Sequence, residues 1–231
     1  MYCLEFENFL KKIDLNKYRN LYKPIKIVEM DLPVNIQAIF LLYKIYWEEK
    51  KFIEFETFYS EYLETYYKNI EVFRKKIGMC KRCFYKGLPA RIYRTWASII
   101  TQIHAGYIAE KVFGKESVEM SEELDRKGAD FIVNYMNEII NFQVKKISYS
   151  REVRQEKKIK NKLKGKFIKI TYEVPTEDVF NKPKKRNGQY KISYIRFIND
   201  KRLKRLNNGF VVFTKYTFYS IKEKIDNKIK L

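Results

Sequence analysis

The chain has 231 residues, 45% of them hydrophobic, and carries 48 Lys and Arg against 28 Asp and Glu, a formal net charge of +20. That length and apolar content exclude a disordered tail and suit one domain with an appended helical lobe. The charge makes a polyanion the first partner to consider, nucleic acid ahead of an anionic membrane surface.

Lys, Ile, Tyr, Phe and Asn are abundant and Ala is scarce. AT-rich coding produces the same bias, so only part of the charge speaks for function. The opening Met1-Tyr2-Cys3-Leu4-Glu5 lacks the basic and then apolar layout of a signal peptide. The longest apolar run, residues 38–43, is far too short to span a bilayer. The expectation is a soluble cytoplasmic protein with no membrane partner. Cysteine is sparse, at Cys3, Cys80 and Cys83, which argues for a reducing compartment. Cys80-x-x-Cys83 has no second pair with which to complete a zinc site. It reads as two ordinary thiols near a helix end, with a redox pair as the alternative.

In chain order, Phe6, Phe9, Leu10 and Ile13 recur at helical spacing. Pro24 and Asp31-Leu32-Pro33 interrupt the chain. Helical patterns resume over residues 36–49 and 55–76, and a break is expected at Gly78 and again at Gly87-Leu88-Pro89. Residues 90–113 then read as one long helix, with Ile92, Trp96, Ile99, Ile103 and Ile108 on a broad face and Gly114 as its stop. On that helix His104 reads as a packed histidine and Trp96 as core. From residue 129 the period changes. Residues 129–133 read as a strand, 134–137 as a turn and 139–147 as a second strand, together a hairpin. A basic run over residues 157–166 precedes a third strand over 167–174. A basic loop at residues 182–189, a helix over 190–206, a strand at 210–213 and a last helix from Thr217 follow. Helices before and after a small sheet indicate an α/β fold. The chain divides into an N-terminal helical lobe, residues 1–80, and a catalytic core, residues 81–231.

The chemistry is concentrated in residues 123–146. Asp125 precedes the hairpin, Asp130 sits within its first strand, and Gln143-Val144-Lys145 lies in its second. Residues two apart in a strand share a face, so Gln143 and Lys145 project together, and the partner strand brings Asp130 beside them. Acid, gap, then x-Lys is the layout of the PD-(D/E)XK nucleases. In that layout a carboxylate holds Mg²⁺, the metal activates water and stabilises the phosphate, and lysine adds a compact positive charge. A pair of strands with merely solvated charges would show the same letters. Asp130 among apolar neighbours argues against that, because an unpaired carboxylate there is costly.

The segments KYRNLYKPIKIVEMDLP, ARIYRTWASIITQIH, ELDRKGAD, FQVKK and NGFVVF are long and unusual. Through them the chain resembles the TaqI family of type II restriction endonucleases from end to end. The resemblance implies a PD-(D/E)XK core with a small mixed sheet flanked by helices. It implies a homodimeric, Mg²⁺-dependent enzyme that cuts double-stranded DNA at a short palindrome, TCGA, after the T, leaving 5′ CG ends. It also implies a cognate DNA methyltransferase as a functional partner. The family's paired aspartates fall on Asp125 and Asp130 and its lysine on Lys145. Gln143 stands where most of the superfamily has an acid, as it does in this family; its amide oxygen can ligate a metal or orient water. Asp125 or Glu110 is left as the second metal carboxylate. Glu110 enters because related nucleases bring a helical Glu to the metal, although the family pattern has no acid there.

Guanine is read by Arg or Lys and adenine by Asn or Gln. Lys184, Lys185, Arg186, Asn187 and Gln189 are therefore candidates for base contacts. Lys157, Lys158 and Lys160 suit phosphates. Arg91 and Arg94 are placed at the start of the long helix, where free amides hold a phosphate. Two other readings stay open: a catalytically inactive DNA-binding protein of the same fold, motivated by Gln143, and a basic protein that binds anionic lipid.

Overall fold

The computed structural model describes residues 2–23, 32–147 and 163–227. It divides into two compact units, Met1–Ile103 and His104–Leu231. The boundary expected at residue 80 coincides with the start of a long helix, whereas the division into units falls within that helix.

The first unit is helical among its described residues. Helices α1 (Tyr2–Lys12) and α2 (Leu15–Leu21) are followed by a short 3-10 turn, Val34–Ile36, and by α3 (Ile39–Leu42), which runs on as a π-helical stretch, Tyr43–Glu48. That wider turn buries Tyr43, Ile45, Tyr46 and Trp47 together. Helix α4 (Phe55–Lys76) buries Phe55, Phe58, Tyr62 and Ile70. Much of this unit's interior is aromatic. Trp96 Nε1 donates to the Tyr46 hydroxyl at 2.9 Å, and that hydroxyl donates to the Ile53 carbonyl at 2.5 Å, so the two polar tips are satisfied inside the core.

Helix α5 (Lys81–Phe113) corrects the expectation of a break at Gly87-Leu88-Pro89. Phe84, Leu88, Ile92, Trp96 and Ile100 form a stripe at steps of four, and all are fully buried. Burying that stripe outweighs the hydrogen bond that Pro89 cannot donate. Residues 90–95 therefore lie inside the helix with their amides engaged. The free helix N-terminus expected beside Arg91 and Arg94 does not exist.

The second unit holds a four-stranded mixed sheet in the order β1 (Val118–Glu119), β2 (Phe131–Tyr135), β3 (Glu138–Ile147), β4 (Lys166–Glu173). The first three strands are antiparallel and β4 runs parallel to β3. The hairpin turn is shorter than expected. Met136 and Asn137, both at positive φ, make a two-residue connection beneath the pair Tyr135↔Glu138. Gly165 enters β4 at φ +99, and a Cβ there would sit 2.2 Å from the Ile139 carbonyl oxygen, so no other residue fits without moving β3. Asn141, fully buried on β3, donates from Nδ2 to the carbonyls of Lys164 (2.8 Å) and Lys166 (3.1 Å), gripping the chain on both sides of that glycine. Phe131, Phe142 and Phe218 pack beneath the sheet, with Phe131 and Phe142 stacked at 5.0 Å.

Beyond β4, α7 (Glu177–Asn181) and α8 (Ile192–Asn199) lead to a two-stranded sheet, β5 (Leu203–Arg205) with β6 (Val211–Phe213), and then to α9 (Tyr216–Asp226). The helix expected over residues 190–206 stops early. Asp200 accepts the Arg202 N–H at 3.0 Å and that residue's guanidinium at 2.9 and 2.8 Å, a local turn that competes with helix and sends the chain into β5.

Candidate active site

The β2–β3 ladder ends at Phe131↔Phe142, and Asp130 stands one residue before it. The N–H of Asp130 donates to the Phe142 carbonyl at 2.8 Å, and its Oδ2 accepts the N–H of Val144 at 2.5 Å. The carboxylate thus takes the place of a backbone acceptor where the ladder runs out. It is fixed at the peptide that lies between Gln143 and Lys145. Phe142 and Val144 point into the core, so by strand alternation Gln143 and Lys145 share the opposite face. Across the parallel ladder that face continues with Lys169, partner of Gln143, and Thr171, partner of Lys145.

Asp125 lies ahead of the hairpin. It lies in α6 (Glu122–Arg126), where the Ser121 side chain accepts the Leu124 N–H at 3.3 Å and three acids occupy the first turn. Ser-Glu-Glu-Leu-Asp is a helix start, and acids there are favoured by the helix dipole. Gly128, at φ +93, then returns the chain toward Asp130.

The two aspartates share one electrostatic environment. Burial raises Asp130 to about 7; the Val144 hydrogen bond opposes this and the charge of Asp125 adds to it. Burial likewise raises Asp125 to about 6, with Glu122 adding and Arg126 opposing. On β4, burial lifts Tyr172 to about 12, and the Asp130 charge pushes it further the same way. A buried carboxylate raised further by a neighbouring carboxylate is what a hard cation relieves.

Residues 4–225 match the pattern of the family described as TaqI restriction endonuclease. The chain belongs to the TaqI restriction endonuclease family. It is 34% identical over 218 residues to type II restriction enzyme TaqI of Thermus aquaticus, and 32% identical over 216 residues to type II restriction enzyme TthHB8I of Thermus thermophilus. Each alignment covers 90% of this chain and 82% of the relative. No solved structure matches. Membership makes the chain a restriction endonuclease, a site-specific deoxyribonuclease. No helix among the described residues is long and apolar enough to cross a membrane.

The structure draws together Asp130, Gln143 and Lys145, with Asp125 close enough for its charge to be felt. Glu110 is engaged elsewhere: its Oε1 accepts the Glu116 N–H at 3.1 Å beyond the end of α5. Among the described residues no three of His, Cys, Asp and Glu converge as a metal-holding group, so Glu110 does not join the two aspartates. Arg91 donates to Thr95 Oγ1 at 2.8 Å, and the terminal nitrogens of Arg94 are buried. Lys157, Lys158 and Lys160 lie outside the described residues.

Lys184, Lys185, Arg186, Asn187 and Gln189 form an exposed tip. Lys184 bridges to Tyr190, the Lys185 N–H donates to the Gln189 carbonyl at 2.8 Å, and Gly188 turns at φ +80. The Asn187 and Gln189 amides meet at 3.2 Å. Lys169 and Thr171 are additions from the fold. Alternation in β4 was legible in the sequence; its parallel pairing with β3 was not.

Proposed function

We propose that the chain is a Mg²⁺-dependent type II restriction endonuclease with a PD-(D/E)XK core. It acts as a homodimer and cuts both strands of TCGA after the T, leaving 5′ CG ends. The observation that carries this reading is the Asp130 carboxylate bonded to the peptide between Gln143 and Lys145. Asp130 and Asp125 fit the metal: burial raises both, and the charge of Asp125 raises Asp130 further. Mg²⁺ commonly takes one or two carboxylates and fills its other positions with water and phosphate oxygens. When bound, it supplies a Lewis acid and lowers the pKa of a coordinated water.

The chain's own residues do the rest. Asp130, held by Val144, keeps its carboxylate in one orientation. The Lys145 ammonium offsets charge that builds on the scissile phosphate. The Gln143 amide oxygen orients a water, and Lys169 adds positive charge on the same face. The tip at residues 184–189 reads bases, with Arg186 suited to guanine and Asn187 or Gln189 to adenine once their mutual bond opens. A palindrome cut on both strands calls for a two-fold dimer. A methyltransferase that protects the host's own sites completes the system.

The test is incubation of the purified protein with unmethylated phage DNA in Mg²⁺, beside Asp130→Ala and Lys145→Ala, with the product ends sequenced. Discrete fragments with 5′ CG ends from wild type alone are expected. A second reading, a DNA-binding protein without catalysis, is favoured by Gln143 in place of an acid. Intact DNA across temperatures and metals, from protein that still binds duplex, would establish it instead.

A further inference from the structure

In the first unit, the turn before α5 holds a second constellation that the restriction reaction does not use. Cys80 is the cap of α5. Its carbonyl accepts the Phe84 N–H at 3.0 Å, and its Sγ accepts the Cys83 N–H at 3.1 Å. That is where helices usually place Ser, Thr, Asp or Asn. A sulfur there is favoured as thiolate by the amides at the helix start. Cys83 follows one turn on, both thiols are exposed, and they are hydrogen-bonded to each other. Arg74 stands beside the pair. Its guanidinium is clamped by Glu71 at 3.0 and 2.9 Å and donates to the Met79 carbonyl at 2.7 Å, next to Cys80. Arg82 adds positive charge at both sulfurs.

We propose that Cys80 and Cys83 form a reversible thiol–disulfide site, with Cys80 the attacking sulfur and a small-molecule disulfide the oxidant. The Cys80 thiolate attacks one sulfur of the oxidant, forming a mixed disulfide and expelling one thiolate. The Cys83 thiol then loses its proton, and its sulfur attacks Cys80 Sγ and expels the second thiolate. Two protein thiols are oxidised, and one disulfide is reduced to two thiols. The division of labour follows from the geometry. The hydrogen bond from the Cys83 thiol, and after it that residue's N–H, lowers Cys80, while the bond to Cys80 raises Cys83.

The full-length protein is incubated with oxidised glutathione, and its intact mass and tryptic peptides are measured. The expected product is an internal Cys80–Cys83 disulfide, about two hydrogens lighter than the reduced chain and restored by dithiothreitol. Cys83→Ser, whose hydroxyl can donate the same hydrogen bond, stops at a glutathione adduct on Cys80. Iodoacetamide at pH 7 alkylates Cys80 in that variant roughly tenfold faster than it alkylates Cys83 in Cys80→Ser. Separate adducts on both cysteines with no internal disulfide would overturn the proposal. So would equal alkylation rates, or a zinc ion retained by the pair in the native mass. Both side chains are exposed, so neither serine variant disturbs the core.

Discussion

The Asp130 carboxylate and the Val144 amide, 14 positions apart in sequence, meet at 2.5 Å. Only 6% of Asp130 is exposed, so its carboxylate sits in a dry place, with the Val144 N–H among its donors. Asp130→Asn keeps an acceptor for Val144 and removes the charge. We expect it to abolish cleavage in Mg²⁺. In EDTA at pH 8 it should melt a few degrees above wild type, because an ionised carboxylate in such a site is costly without a cation. Cleavage at the wild-type rate, or a lower melting temperature, would count against this account.

Lys145 is exposed, and its stem is not part of the core. Lys145→Ala should slow single-turnover cleavage by roughly 10²–10³-fold, the usual effect of removing one preorganised charge partner of a reacting oxygen. Duplex binding in Ca²⁺ should change only a few-fold and the melting temperature by about a degree or less. A loss of binding equal to the loss of rate would make Lys145 an anchor for the backbone and not a group that acts on the reacting phosphate.

The grip on the start of β4 is a matter of stability. Asn141→Leu strands the Lys164 and Lys166 carbonyls next to an apolar side chain, at a cost of about 1–3 kcal/mol. Gly165→Ala meets the Ile139 carbonyl and must push β3 and β4 apart. Both variants should melt earlier, and urea titration monitored by far-UV circular dichroism would show it. An unchanged midpoint for Gly165→Ala would mean that the entry to β4 yields freely.

In the helical unit, Glu71 is held to about 2 by hydrogen bonds from Arg74 and then from Tyr85. The folded value lies below the unfolded one, near 4.5, so this group stabilises the fold above pH 4.5. Its contribution fades as pH falls toward 2. The melting-temperature gap between wild type and Glu71→Gln should be open at pH 6 and close progressively below pH 4.5. A gap that stays constant from pH 6 to pH 3 would assign the effect to packing.

What could be read from the sequence was whatever is local. The hairpin, the helix over α4 and the pairing of Gln143 with Lys145 follow from periodicity, which acts over a few residues. Failures occurred where a specific contact, near or far in sequence, overrules the periodic signal. Pro89 is carried through α5 by a buried stripe that begins at Phe84. Asp200 diverts the chain before the expected helix is finished. Lys169 could not be foreseen beside Gln143, because parallel pairing requires a crossover whose register no single strand encodes. The enzyme class was legible because the family's unusual segments identify it; the electrostatic surroundings of the aspartates needed coordinates.

The two neighbours of β3 differ in how they can be reached. Its pairing with β2 closes over a two-residue turn, an event of microseconds for a hairpin, whereas its pairing with β4 waits for a distant segment to arrive. Asp130 and Val144 can therefore meet early in folding, while Lys169 reaches Gln143 only once the parallel ladder has formed. Lys145 belongs to the hairpin and Lys169 to the later strand, so the positive face beside Asp130 is complete only when the parallel ladder has formed.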